Sequence, residues 1–171
     1  CAMGKISVVL ALVVTLVALT LGSCNSAGCI DNQSSIPLAG FYSSSTQQGI
    51  SVDSISIGGV GAIRDSMIIE NGQNVSRVYL PFRSDYDNVS FYIRYEQKAL
   101  RHDALNDTIT FDYESIPYFV SEECGAMYYY QVKHIAYTRH VIDSVAMPDT
   151  LVTNTDVERI RIYFRTAETE E

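Results

Sequence analysis

Thr108-Ile109-Thr110-Phe111-Asp112-Tyr113 decides the fold. Ile109, Phe111 and Tyr113 fall on one side of an extended chain, and Thr108, Thr110 and Asp112 on the other. A period of two with one apolar face describes a half-buried β-strand and fits no helix. Moving outward, Val52–Ile57 alternates in the same way, and Ser66–Glu70 is closed by the hairpin signal Asn71-Gly72. Val75–Leu80 stops at Pro81, and Ser90–Tyr95 places Phe91, Ile93 and Tyr95 on one face. Downstream, Tyr118–Val120 reads as a short strand, and Met127–Arg139 as a long one carrying Tyr128, Tyr129, Tyr130 and Tyr137. Val141–Ala146 reads as its returning partner, and Arg159–Arg165 buries Ile160, Ile162 and Phe164. Only Tyr95–Leu105 holds a helical turn or two. Eight or nine short strands predict an all-β antiparallel β-sandwich, immunoglobulin-like or related, with a partly closed barrel as the alternative.

The N-terminal segment is of another kind. Lys5 is followed by an uncharged run from Ile6 to Leu21, too short for a spanning helix of about 20 residues and suited to a signal-peptide core. Leu21-Gly22-Ser23-Cys24 resembles the lipobox of bacterial lipoproteins, in which the cysteine is acylated and becomes the first mature residue. The expected organisation is a signal peptide over 1–23, a lipidated tether over 24–35, a β-sandwich over 36–165 and an acidic, flexible tail over 166–171. Several acyl chains on Cys24 hold a protein on a membrane as one chain does not.

Lipidation of Cys24 and loss of Cys1 leave Cys29 and Cys124. In an oxidising compartment a remaining pair is expected to form a disulfide. The competing readings are two separate buried thiols, or a reactive Cys124 with a histidine as base. Only Asn25-Ser26-Ala27-Gly28 separate Cys24 from Cys29, a reach of at most about 17 Å. A bridged domain is therefore clamped close to the bilayer.

Charge narrows the partners. Without Lys5, the 12 basic residues become 11 against 20 acidic ones. A balance this acidic repels phosphate backbones, so no nucleic-acid partner is expected. Attachment to the membrane then falls to the lipid.

No constellation points to catalysis, a cofactor or a metal. Gly58-Gly59-Val60-Gly61 leads towards a strand, not the helix a phosphate cradle needs, and reads as a hairpin loop. Asp85-Tyr86-Asp87-Asn88 lacks the glycine turn and downstream carboxylate of a calcium loop. His102, His134 and His140 are not at zinc-ligand spacing, and Glu122 and Glu123 point apart on a strand end. The 12 tyrosines offer rigid amphipathic contact area, although packing in the core or at its rim is their default use.

An Asp–hydroxyl–apolar triplet recurs at Asp53-Ser54-Ile55, Asp65-Ser66-Met67, Asp107-Thr108-Ile109, Asp143-Ser144-Val145 and Asp149-Thr150-Leu151. It resembles the O-glycosylation signal of exported Bacteroidota proteins, which makes Ser54, Ser66, Thr108, Ser144 and Thr150 candidate acceptors. It also describes a turn leading into a strand.

Cys29–Gln33, Ile36–Tyr42, Leu105–Tyr113, Pro117–Gly125 and Arg159–Phe164 together resemble an uncharacterised family of Bacteroidota lipoproteins. The most distinctive part is Phe119-Val120-Ser121-Glu122-Glu123-Cys124-Gly125. The resemblance implies a β-rich domain of unknown function and assigns no substrate or catalytic residue. The expectation is a non-enzymatic envelope lipoprotein, a structural or protein-interaction module on the periplasm-facing side of the outer membrane, with an outer-membrane protein complex as partner. The alternative is a lipoprotein that binds a glycan or peptide through exposed tyrosines.

Overall fold

Strands with one apolar face are stable only when two such faces close on each other. A computed structural model describes residues 35–62, 66–121 and 125–166. It contains β1 (Leu38–Ser43), β2 (Ile55–Gly59), β3 (Met67–Gly72), β4 (Arg77–Tyr79), β5 (Asn88–Tyr95), β6 (Asp107–Ser121), β7 (Gly125–Tyr137), β8 (Ile142–Ala146), β9 (Leu151–Val152) and β10 (Glu158–Phe164). A 3-10 turn at Asp103–Leu105 is all that forms of the helical stretch, and the described residues contain no α-helix. Among them no helix is long and apolar enough to cross a membrane.

The strands make a four-stranded sheet, β4-β1-β10-β8, and a six-stranded sheet, β3-β2-β5-β6-β7-β9. One of the two is curled into a half-barrel, so the all-β sandwich expected from the alternation is the observed class. Pairing is antiparallel except between β1 and β10, which run parallel with Phe41 opposite Ile162. Ile109, Phe111 and Tyr113 are buried as their alternation requires, together with Phe91, Ile93 and Tyr95 from β5 and Ile160, Ile162 and Phe164 from β10.

Two strands escaped the pattern. β1 lies between β4 and β10. It is covered on both faces, so Leu38-Ala39-Gly40-Phe41 shows no polar alternation. β9 has only two residues, too few for any period. A third expectation needs correcting: Tyr118–Val120 is not a separate strand but part of β6, continuous from Asp107 to Ser121. Pro117 is tolerated inside it because β5 pairs with β6 only as far as Asp112, which leaves that edge open around the proline.

Beyond the sheet, β6 and β7 continue as a two-stranded arm. β9 reaches β7 only at Tyr130 and Gln131. Over 115–121 and 125–129 the arm therefore has no lateral neighbour among the described strands. At its root Phe82 stacks on Tyr113 at 4.6 Å and meets the edge of Tyr130 at 5.6 Å. The Tyr113 hydroxyl donates to the Arg83 carbonyl at 2.8 Å, and the Leu80 amide to that of Pro37 at 3.0 Å. The segment after β4 thus links the start of β1 to the root of the arm.

Candidate functional site

The arm carries no charged side chain over Ser115-Ile116-Pro117-Tyr118-Phe119-Val120-Ser121 or Gly125-Ala126-Met127-Tyr128-Tyr129-Tyr130-Gln131. Charge resumes at the root, where Lys133 pairs with Glu114 at 3.1 Å. Register determines the faces, because directly opposed residues share a side. Ile116 opposes Tyr129 and Tyr118 opposes Met127 on the outer face; Ser115 opposes Tyr130 and Pro117 opposes Tyr128 on the inner face. Phe119 follows Pro117 on that inner face, which continues the buried row of Tyr113 and Tyr130.

Past the sandwich Met127 is buried on the outer face, but most of the arm's large apolar side chains stay in water. Phe119 is 65% exposed, Tyr118 44%, and Ile116 and Tyr128 38% each. Burying a side chain of this size is worth about 1.5–3 kcal/mol, so a cluster left in water marks an interaction surface. The outer face is ordered by its own contacts. Tyr118 and Tyr129 stack at 4.7 Å, and the Tyr129 hydroxyl donates to Asn154 Oδ1 at 3.4 Å. Burial, with the neighbouring Tyr118 phenol, raises the Tyr129 pKa and keeps it a neutral donor.

The most densely bonded polar group lies at the opposite end of β6. Asp107 is fully buried, and its carboxylate accepts five hydrogen bonds. Oδ1 takes the Thr138 hydroxyl at 2.6 Å and the His140 amide at 2.9 Å. Oδ2 takes the Tyr95 hydroxyl and the amides of Val141 and Ile142, each at 2.9 Å. Burial alone would raise the Asp107 pKa; the Thr138 hydroxyl and the three amides outweigh it, and the net shift is downward. Tyr95 is pushed far above the tyrosine range by burial, then by the Asp107 charge and hydrogen bond. The cluster ties the start of β6 to the start of β8, one strand from each sheet. It is a clasp between sheets with no open face for a substrate.

Cys24, Cys29 and Cys124 lie outside the described residues, as do Glu122 and Glu123. β7 is extended from Gly125, and His134 is nine residues along it, about 30 Å away. His140 lies beyond the far end of that strand. His102 accepts the Ala104 amide at 3.2 Å in the 3-10 turn. In the Asp85–Asn88 turn, Arg83 pairs with Asp85 at 3.2 Å. Among the described residues no three His, Cys, Asp or Glu side chains converge on one point. Gly58 and Gly59, expected in a hairpin loop, belong to β2; Gly58 lies beneath Tyr92, whose ring occupies the space a Cβ would need, and Gly61 turns the chain at φ 72°.

Of the five candidate acceptors, Ser66 and Thr150 are exposed, while Ser54, Thr108 and Ser144 are half-buried. Asp65 lies outside the described residues and Asp143 pairs with Arg165 at 3.5 Å, while the other three neighbouring aspartates serve the backbone. Asp53 accepts the Asn74 amide at 2.6 Å, Asp149 that of Leu151 at 3.0 Å, and Asp107 those already given. Thr150 accepts from the Gln131 amide at 2.7 Å, and Ser54 from that of Gln73 at 3.1 Å. Open grooves of about 600 Å³ exist, one against Tyr86 and Tyr113 and one beside Val60, Pro81 and Phe91. The Tyr113 hydroxyl in the first is committed to the Arg83 carbonyl. The arm's residues are visible in the sequence, but its local pattern divides β6 into two segments. The arm's exposure follows from where β5 and β9 stop, which no local pattern carries.

A family model described as a family of unknown function, DUF6452, matches residues 54–164. No curated protein and no solved structure matches the chain.

Proposed function

Taking as premise that the chain belongs to the DUF6452 family of unknown function, we propose that it is a non-enzymatic envelope lipoprotein whose β6–β7 arm holds a protein partner at the outer membrane. The observation that carries this reading is the uncharged arm with Ile116 and Tyr118 exposed on an ordered outer face. Its dimensions suit insertion between elements of a larger complex, since a ribbon open at both edges can accept strands as well as side chains. The lipobox-like Leu21-Gly22-Ser23-Cys24 supports attachment through Cys24, and a Cys29–Cys124 bond would keep the body against the membrane. An origin in Bacteroidota and a periplasm-facing location belong to the same proposal, as does O-glycosylation. Ser66 and Thr150 are its best acceptors because their side chains are accessible.

The test uses the exported protein extracted in mild detergent. Intact-mass analysis is expected to show cleavage before Cys24 and the added acyl groups, and glycopeptide mapping to place hexoses on Ser66 or Thr150. Affinity capture is expected to recover a reproducible membrane partner that Ile116→Glu with Tyr118→Glu abolishes. An unlipidated N-terminus overturns the anchor. A partner that ignores the double variant overturns the arm.

A further inference from the structure

The arm's two faces differ in what lies near them. The outer face is met by Asn154 at Tyr129 and has Met127 buried, whereas the inner face, with Pro117, Phe119 and Tyr128, continues the row of Tyr113 and Tyr130 and leaves Phe119 exposed. The described chain starts near the root of that row. Ser35 is fully buried and its backbone is turned at φ 43°. Pro37 bonds Leu80, and two residues later Phe82 packs on Tyr113 and Tyr130 at the arm's root. A chain leaving Ser35 therefore starts against the body of the protein, beside the root of the inner face.

We propose that the inner face is a docking groove for this chain's own residues 29–34, which run from the root towards the tip and cover Phe119. The lengths agree. Six residue steps from Ser35 back to Cys29 span at most about 20 Å. The five steps of β7 from Tyr130 to Gly125 span about 17 Å. The composition agrees as well. Asp31-Asn32-Gln33-Ser34 would lie near the root, where polar groups reach water at the edges, while Cys29 and Ile30 would arrive near Phe119. Covering Phe119 from within the chain removes its apolar surface from water without a second molecule. It leaves the outer face, with Ile116 and Tyr118, as the side presented to a partner. The inference deepens the envelope reading, and it gives the Cys29–Cys124 bond a path without requiring that bond.

The chain has no tryptophan, so Phe119→Trp creates a single emitter. In the exported protein reconstituted into phosphatidylcholine vesicles, its emission is expected to be blue-shifted. Acrylamide quenching should be several-fold weaker than for Tyr86→Trp, a reference at a residue 51% exposed. Adding Ile30→Asp, or replacing 30–34 with a Gly-Ser segment of equal length, should raise quenching to the reference level while circular dichroism stays unchanged. Shielding that ignores both changes overturns the proposal. So does an emitter quenched as freely as the reference. Shielding lost on dilution assigns the face to a second copy, and quenching by brominated acyl chains assigns it to the bilayer; either overturns it. Alkylation without reduction reads the disulfide separately. Two reactive thiols with a shielded emitter remove the bond and keep the groove, whereas a bond with a free emitter removes the groove alone. An unlipidated N-terminus removes the anchor, and the same fluorescence is then read in solution.

Discussion

Asp107 shows what one buried carboxylate does when every lone pair is used. Its acceptors satisfy three backbone amides at the start of β8 and two hydroxyls that would otherwise be unpaired. Asp107→Asn keeps the shape but turns an amide N–H₂ towards donors. Loss of acceptors for buried amides is expected to cost about 3 kcal/mol, read from urea denaturation at pH 7. The pH dependence has a definite sign. The pKa is lowered on folding, so the carboxylate's contribution is complete above its unfolded value, about 3.9, and is lost as pH falls through the folded value. The stability gap between wild type and Asp107→Asn should therefore narrow below about pH 4. A gap that stays constant down to pH 2 would count against the clasp. In the sequence Asp107 is visible only as the first residue of an Asp–hydroxyl–apolar triplet. Four of its five partners lie 31 to 35 residues away, in β8 and the link before it, and Tyr95 lies 12 residues back in β5, beyond any local pattern.

At the scale of the element, the arm and the β2–β5 contact make opposite predictions. Ile116→Glu with Tyr118→Glu replaces exposed side chains, so stability should move by less than about 1 kcal/mol while partner capture is lost. Gly58→Val inserts a branched side chain beneath the Tyr92 ring. Overpacking there is expected to cost about 1–3 kcal/mol, read as a lower denaturation midpoint at unchanged slope. A neutral Gly58→Val would show that Tyr92 is free to move aside. Most strands could be read from the sequence because alternation is a local property of a strand with one wet face. β1 could not, since the residues that cover its second face come from elsewhere. Gly40, for example, lies under the Glu158 side chain, 118 positions later. Nor could the unity of β6, because a proline read locally argues for a break and only an absent neighbour makes it harmless.

For the whole molecule, the proposed Cys29–Cys124 bond would close a loop of roughly a hundred residues, from before β1 to the tip of the β6–β7 arm. The chain-entropy model gives about 4–5 kcal/mol for a loop of that size, less any native strain. Reductant is then expected to lower the melting temperature of the exported protein, and Cys29→Ser with Cys124→Ser to reproduce that lower value without reductant. Equal melting temperatures under both conditions would remove the clamp. What the sequence by itself determined is the set of strands with one wet face and an acidic body following a short uncharged apolar run. Both are functions of near neighbours, namely side-chain alternation and the length of an uncharged run. Only the tertiary structure decided that β1 and β10 pair in parallel, that Asp107 locks one sheet to the other, and that β6 and β7 outrun their neighbours with aromatic rings uncovered. Those features depend on contacts between residues far apart in the chain, and burial is a property of the assembled surface, not of any segment in it.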